Sequence, residues 1–143
     1  MINFIVCEDS EIILERNIDV INKVMFNNNI EYRIYKFQSY NEELKNIIKE
    51  PLENKIYILD IELGSDSGID LAGDIRKIDL TSFIIISTVH SEYIPYTLKS
   101  KLLIFDYVSK LSNYNEDLSN AIKRILKELK DQKRVETTKK GVM

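Results

Sequence analysis

The feature that most limits the fold of this chain is a fivefold alternation of short apolar runs with amphipathic stretches. Ile2 to Cys7 is a compact apolar run, and Leu14, Ile18, Ile21 and Met25 follow at the spacing of a helix face. Ile30 to Phe37 alternates charged with apolar or aromatic residues, the pattern of a half-exposed edge strand. Ser39 and Glu42 have capping-box spacing, and Tyr40, Leu44 and Ile47 continue one helical face until Pro51. Ile56 to Leu59 is wholly apolar and stops at Asp60. A turn-rich Gly64 to Gly68 comes next, before Leu71, Ile75 and Ile78 resume helical spacing. Phe83 to Ile86 predicts a fourth strand, and a weaker helix starting near Glu92 holds Pro95 in its first turn. Leu102 to Val108 predicts the fifth strand. Leu118, Ile122, Ile125 and Leu129 predict the fifth and longest helix, expected to fray into a polar tail after Arg134.

Central strands that are apolar on both faces, alternating with helices, call for a parallel sheet covered on both sides. Right-handed crossovers then lead to a doubly wound, flavodoxin-like α/β fold with strand order 2-1-3-4-5. A length of 143 residues fits one such domain, over residues 1–130, with 131–143 a polar basic tail or the start of an interdomain linker.

Composition removes several chemistries. The one cysteine, Cys7, can form no internal bridge, and neither cysteine clusters nor a second histidine beside His90 exists to build a zinc site. No apolar run approaches the roughly 20 residues of a membrane span, so a cytoplasmic protein with no membrane partner is expected. Charge is segregated: Ile122 to Met143 carries eight basic and three acidic residues, leaving the preceding body at −8 within a net charge of −3. No aromatic is interleaved there to stack on bases, so this end reads as a solvated helix face and linker.

In doubly wound folds ligands collect outside the carboxyl ends of the strands. Here those ends carry Glu8 and Asp9, Asp60, Ser87 and Thr88, and Lys110. Carboxylates crowded together repel and call for a counter-charge, and an all-oxygen donor set suits Mg2+. Asp60 beside such a cation can act as a nucleophile toward a phosphoryl group. Lys110 would neutralise the phosphoryl oxygens, and Thr88 would donate a hydrogen bond to one of them. Acids at strand ends also cap helices, as Asp9 and Ser10 are placed to do, but the four-strand convergence favours the functional reading.

These residues carry a resemblance to the receiver domains of bacterial response regulators. It rests on the acidic pair in Phe4 to Asp9, the acceptor in Tyr57 to Ile61, the Ser67 to Leu71 turn, Thr88, and Phe105 to Lys110, in order over residues 1–130. Ile84 to Glu92 and Phe105-Asp106-Tyr107 are similar to the accessory-gene-regulator type, whose receiver precedes a LytTR-type DNA-binding domain.

The resemblance implies a CheY-like fold and transfer of phosphate from a sensor histidine kinase to Asp60. It implies Mg2+ held by Glu8, Asp9, Asp60 and the backbone carbonyl of Glu62, and Thr88 and Tyr107 as switch residues. It further implies a phosphoacceptor switch rather than an enzyme, with self-phosphorylation from small donors and slow autodephosphorylation. A homodimer through the fourth helix, fifth strand and fifth helix is implied, and DNA binding only through a C-terminal domain outside this chain.

Departures from the family pattern are Leu111, where proline is usual after Lys110, and Val89, where a small residue is usual after Thr88. Glu62 and His90 occupy the positions that flank the phosphoryl group in this family. Adjacent Ser87 and Thr88 both offer a hydroxyl, and the spacing to Lys110 favours Thr88. The other reading of the same residues is a stand-alone receiver acting as an adaptor without DNA-binding output.

Overall fold

The computed structural model describes residues 1–89 and 101–142, with 134–142 as backbone only. In chain order the elements are β1 (Ile2–Cys7), α1 (Glu11–Phe26), β2 (Tyr32–Phe37), α2 (Glu42–Lys49) and β3 (Lys55–Asp60). A two-residue ribbon follows, β4 (Glu62–Leu63) against β5 (Asp66–Ser67), then α3 (Gly68–Ile78), β6 (Phe83–Thr88), β7 (Asp106–Ser109) and α4 (Tyr114–Val142). The main sheet has the order β2-β1-β3-β6-β7 with every pairing parallel. Leaving out the small antiparallel ribbon, this is the expected flavodoxin-like order.

Strand alternation divides the core in two. Phe4, Val6, Ile56, Ile58 and Ile85 face α1 and α4, packing on Leu14, Ile21, Leu118, Ile122 and Ile125. Ile5, Tyr57, Leu59, Ile84 and Ile86 face α2 and α3, packing on Leu44, Leu71 and Ile75. Neighbouring residues of β3 therefore belong to different cores, which is why its sequence is apolar without a period. β2 is half-exposed, as its charged alternation predicts for an edge.

Three boundaries differ from the sequence expectation. α2 is capped by Asn41, whose Oδ1 accepts from Leu44 N at 2.9 Å, and not through Ser39 and Glu42. Tyr40 lies before the helix and donates its hydroxyl to Asp74 Oδ2 at 2.8 Å. The fifth strand begins at Asp106 and not Leu102: Lys101 and Leu102 are helical, and Leu103 takes a left-handed φ of 52°. The carbonyls of Leu102 and Leu103 accept from the Arg76 guanidinium at 2.7 and 3.0 Å, and the chain first bonds β6 at Phe105, whose N–H donates to Ile84 O at 2.8 Å. α4 continues to Val142 without fraying at Arg134. Its last turns contain no proline, and Gly141 comes only at the end, so no residue there forces the helix to stop. The predicted fourth helix and His90 lie outside the described residues.

Candidate functional site

At the carboxyl edge of the sheet, β1 runs out into Glu8 and Asp9, and Ser10 caps α1 by accepting from Ile13 N at 3.4 Å. Glu8 is held at both ends: its N–H donates to Phe37 O at 3.0 Å, and its Oε1 accepts from Ser10 N at 3.2 Å. Its side chain is buried whereas Asp9 is exposed. Asp60 closes β3 next to β1, almost wholly buried, and its Oδ1 accepts from Glu62 N at 3.3 Å. Glu62 thus turns its backbone against the Asp60 carboxylate while its residue as a whole stays exposed.

Oxygens of Glu8, Asp9 and Asp60 lie within 4.8 Å of one another. Lys110, one residue past β7, brings Nζ to 2.8 Å from Glu8 Oε2 and 3.2 Å from Asp60 Oδ2. Its own N–H donates to Thr88 O at 2.9 Å, tying the loop after β7 to the end of β6. Burial pushes the Glu8 carboxyl up from 4.5 to about 7, with the Asp60 charge adding to the rise and Lys110 opposing it. Burial raises Asp60 too, against the pull of Lys110 and of the Glu62 N–H. Cys7, beneath the acids, has its thiol pushed up to about 12 by burial and by Glu8, Asp60 and Asp9, so it stays a neutral core residue.

The donor set is suited to a hard divalent cation. Three carboxyl groups share one lysine, and every candidate ligand is oxygen. Gly68 shapes this edge from beneath: its N–H donates to Ile61 O at 2.8 Å, and a Cβ there would sit 2.0 Å from the Asp60 carbonyl oxygen. Only glycine lets the start of α3 approach the Asp60 backbone this closely.

The two adjacent hydroxyls part company. Ser87 follows Ile85 onto the α1/α4 side and bonds the Tyr114 hydroxyl at 2.9 Å. Thr88, following Ile84 and Ile86, belongs to the opposite side, the side on which Tyr107 packs. Tyr107 pairs with Ile86 and Thr88 with Ser109, so Thr88 and Tyr107 are diagonal neighbours on one face. Burial pushes the Tyr107 hydroxyl up to about 12. The sequence reading missed Asn17 and Tyr114. Asn17 occupies a core-facing position of α1, three residues from Leu14 and four from Ile21, and a polar side chain there was the available signal.

No protein-family model and no curated protein matches the sequence. Solved structures do match the fold. The response regulator TrrA of Thermotoga maritima, solved in complex with Mg2+ and BeF, is 27% identical, with a TM-score of 0.65 over 87% of this chain and 99% of that one. A response regulator receiver domain from Clostridium thermocellum is 23% identical, with a TM-score of 0.72 over 91% and 98%. The response regulatory domain of mrkE from Klebsiella pneumoniae is 21% identical, with a TM-score of 0.73 over 91% and 99%. The chain therefore has the CheY-like receiver fold. Among the described residues no helix is long and apolar enough to cross a membrane.

Proposed function

We propose that this chain is the receiver of a two-component response regulator and takes a phosphoryl group from a histidine kinase onto Asp60. The observation that carries the reading is the meeting of Glu8, Asp9, Asp60 and Lys110 at the carboxyl edge of a receiver-type sheet. In the transfer, one Asp60 carboxylate oxygen bonds to phosphorus as the bond from phosphorus to the imidazole nitrogen of the donor breaks. The departing imidazole keeps the electron pair. With acetyl phosphate the leaving group is acetate.

Glu8, Asp9, Asp60 and the Glu62 carbonyl would hold Mg2+, which supplies charge neutralisation when bound. Lys110 gives a fixed positive charge beside the incoming phosphoryl oxygens. Engagement of Ser87 with Tyr114 on the other face supports Thr88 as the hydroxyl that follows the phosphoryl group, and its neighbour Tyr107 as the aromatic that follows Thr88. Such a shift needs only a small differential interaction to bias two packings of one face.

The chain acts as a switch, self-phosphorylating from small donors and losing phosphate slowly, rather than as an enzyme with a substrate of its own. Its output is transcriptional, through a LytTR-type DNA-binding domain outside this chain, as the motifs around Thr88 and Tyr107 imply. A homodimer would use the face of the predicted fourth helix, which lies outside the described residues, together with β7 and α4, where Asp106 pairs with Arg124 within the chain.

Incubation with Mg2+ and acetyl phosphate, read by intact mass, tests the reading. Wild type gains one phosphoryl mass; Asp60→Asn and chelated wild type do not. Equal gain by Asp60→Asn would refute it.

A further inference from the structure

The loop that carries Lys110 has unusual anchoring. Leu111, Ser112 and Asn113 are all exposed, and Asn113 takes a left-handed φ of 42°. Its first residue is tied to β6 through the bond from Lys110 N to Thr88 O. Its far end is Tyr114, 5% exposed and sunk between α1 and β6.

The hydroxyl of Tyr114 donates to Asn17 Oδ1, and a carboxamide oxygen can only accept. The single phenolic proton is then used, so the 2.9 Å contact with Ser87 is made by the Ser87 proton. The chain runs in one direction, from Ser87 to Tyr114 to Asn17, with all three residues buried. Ser87 is also the register partner of Asp60 on β3. Two successive residues of β6 thus grip the two ends of one short loop: Thr88 by its carbonyl and Ser87 by its hydroxyl.

We infer that Tyr114 is the positioning residue for Lys110: its buried bond to Ser87 and Asn17 sets where the loop after β7 holds the ammonium against Glu8 and Asp60. The inference rests on the proposed role of the site. It assigns Tyr114 no contact with the phosphoryl group, and the effect passes through Lys110 alone. Removing the hydroxyl leaves the ring in the core but frees the far end of the loop, and displacements of about 1 Å at a reacting centre lower rates by up to about 100-fold.

The test combines two readouts on the full chain. Mass-spectrometric mapping of amine acylation by a small reagent reports how protected Lys110 is, without any phosphorylation. Tyr114→Phe is expected to label at Lys110 at least about fivefold faster than wild type. Ile125→Val, which loosens the same helix without touching the loop, is expected to label as wild type does. Acetyl phosphate labelling of Asp60 is then compared in a double-mutant cycle. Tyr114→Phe slows it about tenfold or more in the wild-type background and leaves the rate of Lys110→Ala unchanged, since a residue acting through Lys110 loses its effect once Lys110 is gone. Unchanged Lys110 protection in Tyr114→Phe, or equal slowing in both backgrounds, would overturn the inference. Failure of wild type to accept phosphate while Tyr114→Phe still unmasks Lys110 would overturn the phosphoacceptor reading and leave the positioning intact.

Discussion

Lys110 Nζ stands closer to Glu8, at 2.8 Å, than to Asp60, at 3.2 Å. One ammonium therefore serves two buried carboxylates and sits nearer Glu8 than Asp60, the proposed phosphoacceptor. That sharing leaves the carboxylates in excess over the ammonium, an imbalance that the proposed Mg2+ would offset. It also means that relieving Glu8 by another route frees Lys110 to face Asp60.

The pH dependence of stability follows from the raised carboxyls. Glu8 goes from 4.5 unfolded to about 7 folded, so the folded state binds the extra proton. Its contribution is fully present below about 4.5 and is lost as pH rises through about 7, with Asp60 acting in the same sense. In thermal melts without metal, Glu8→Gln removes much of the decline between those values. Mg2+ raises the midpoint of wild type at pH 8 more than at pH 5. A metal-free midpoint that rises across this range would contradict the account.

Two glycines of α3 should respond in opposite ways. Gly68→Ala forces a Cβ against the Asp60 carbonyl oxygen and costs about 1–3 kcal/mol, with slower phosphorylation because the acceptor backbone must move. Gly73→Ala meets no atom within 4 Å in a helix interior and stabilises by about 0.5–1 kcal/mol. Urea unfolding of the two variants checks both signs.

Tyr57 is the largest fully buried side chain, and its hydroxyl has no hydrogen-bond partner among the described residues. Tyr57→Phe removes a desolvated polar group and keeps the ring, so the urea midpoint stays level or rises by the equivalent of about 1 kcal/mol. A loss of that size would show that the hydroxyl has a bound water as partner.

Much of the fold was legible because helical periods alternate with short, wholly apolar central strands, and the acids, Thr88 and Lys110 were legible because they lie at strand ends. What escaped detection has physical causes. Leu102 to Phe105 reads as strand from its apolar run, whereas the Leu102 carbonyl is taken by Arg76, 26 residues upstream, a contact that no local pattern reveals. Asn41 displaced Ser39 as a cap because both types cap well and tertiary contacts of Tyr40 set the entry. The link from Asn17 to Tyr114 spans 97 residues, which no local period reveals.

The most direct measurement is reduction of the acetyl-phosphate-treated protein with borohydride, which converts an aspartyl phosphate to homoserine, followed by peptide sequencing in a mass spectrometer. Homoserine is expected at position 60, dependent on Mg2+ and suppressed in Lys110→Ala. Homoserine at position 9, or none at any acid of the edge with Mg2+ present, would contradict it.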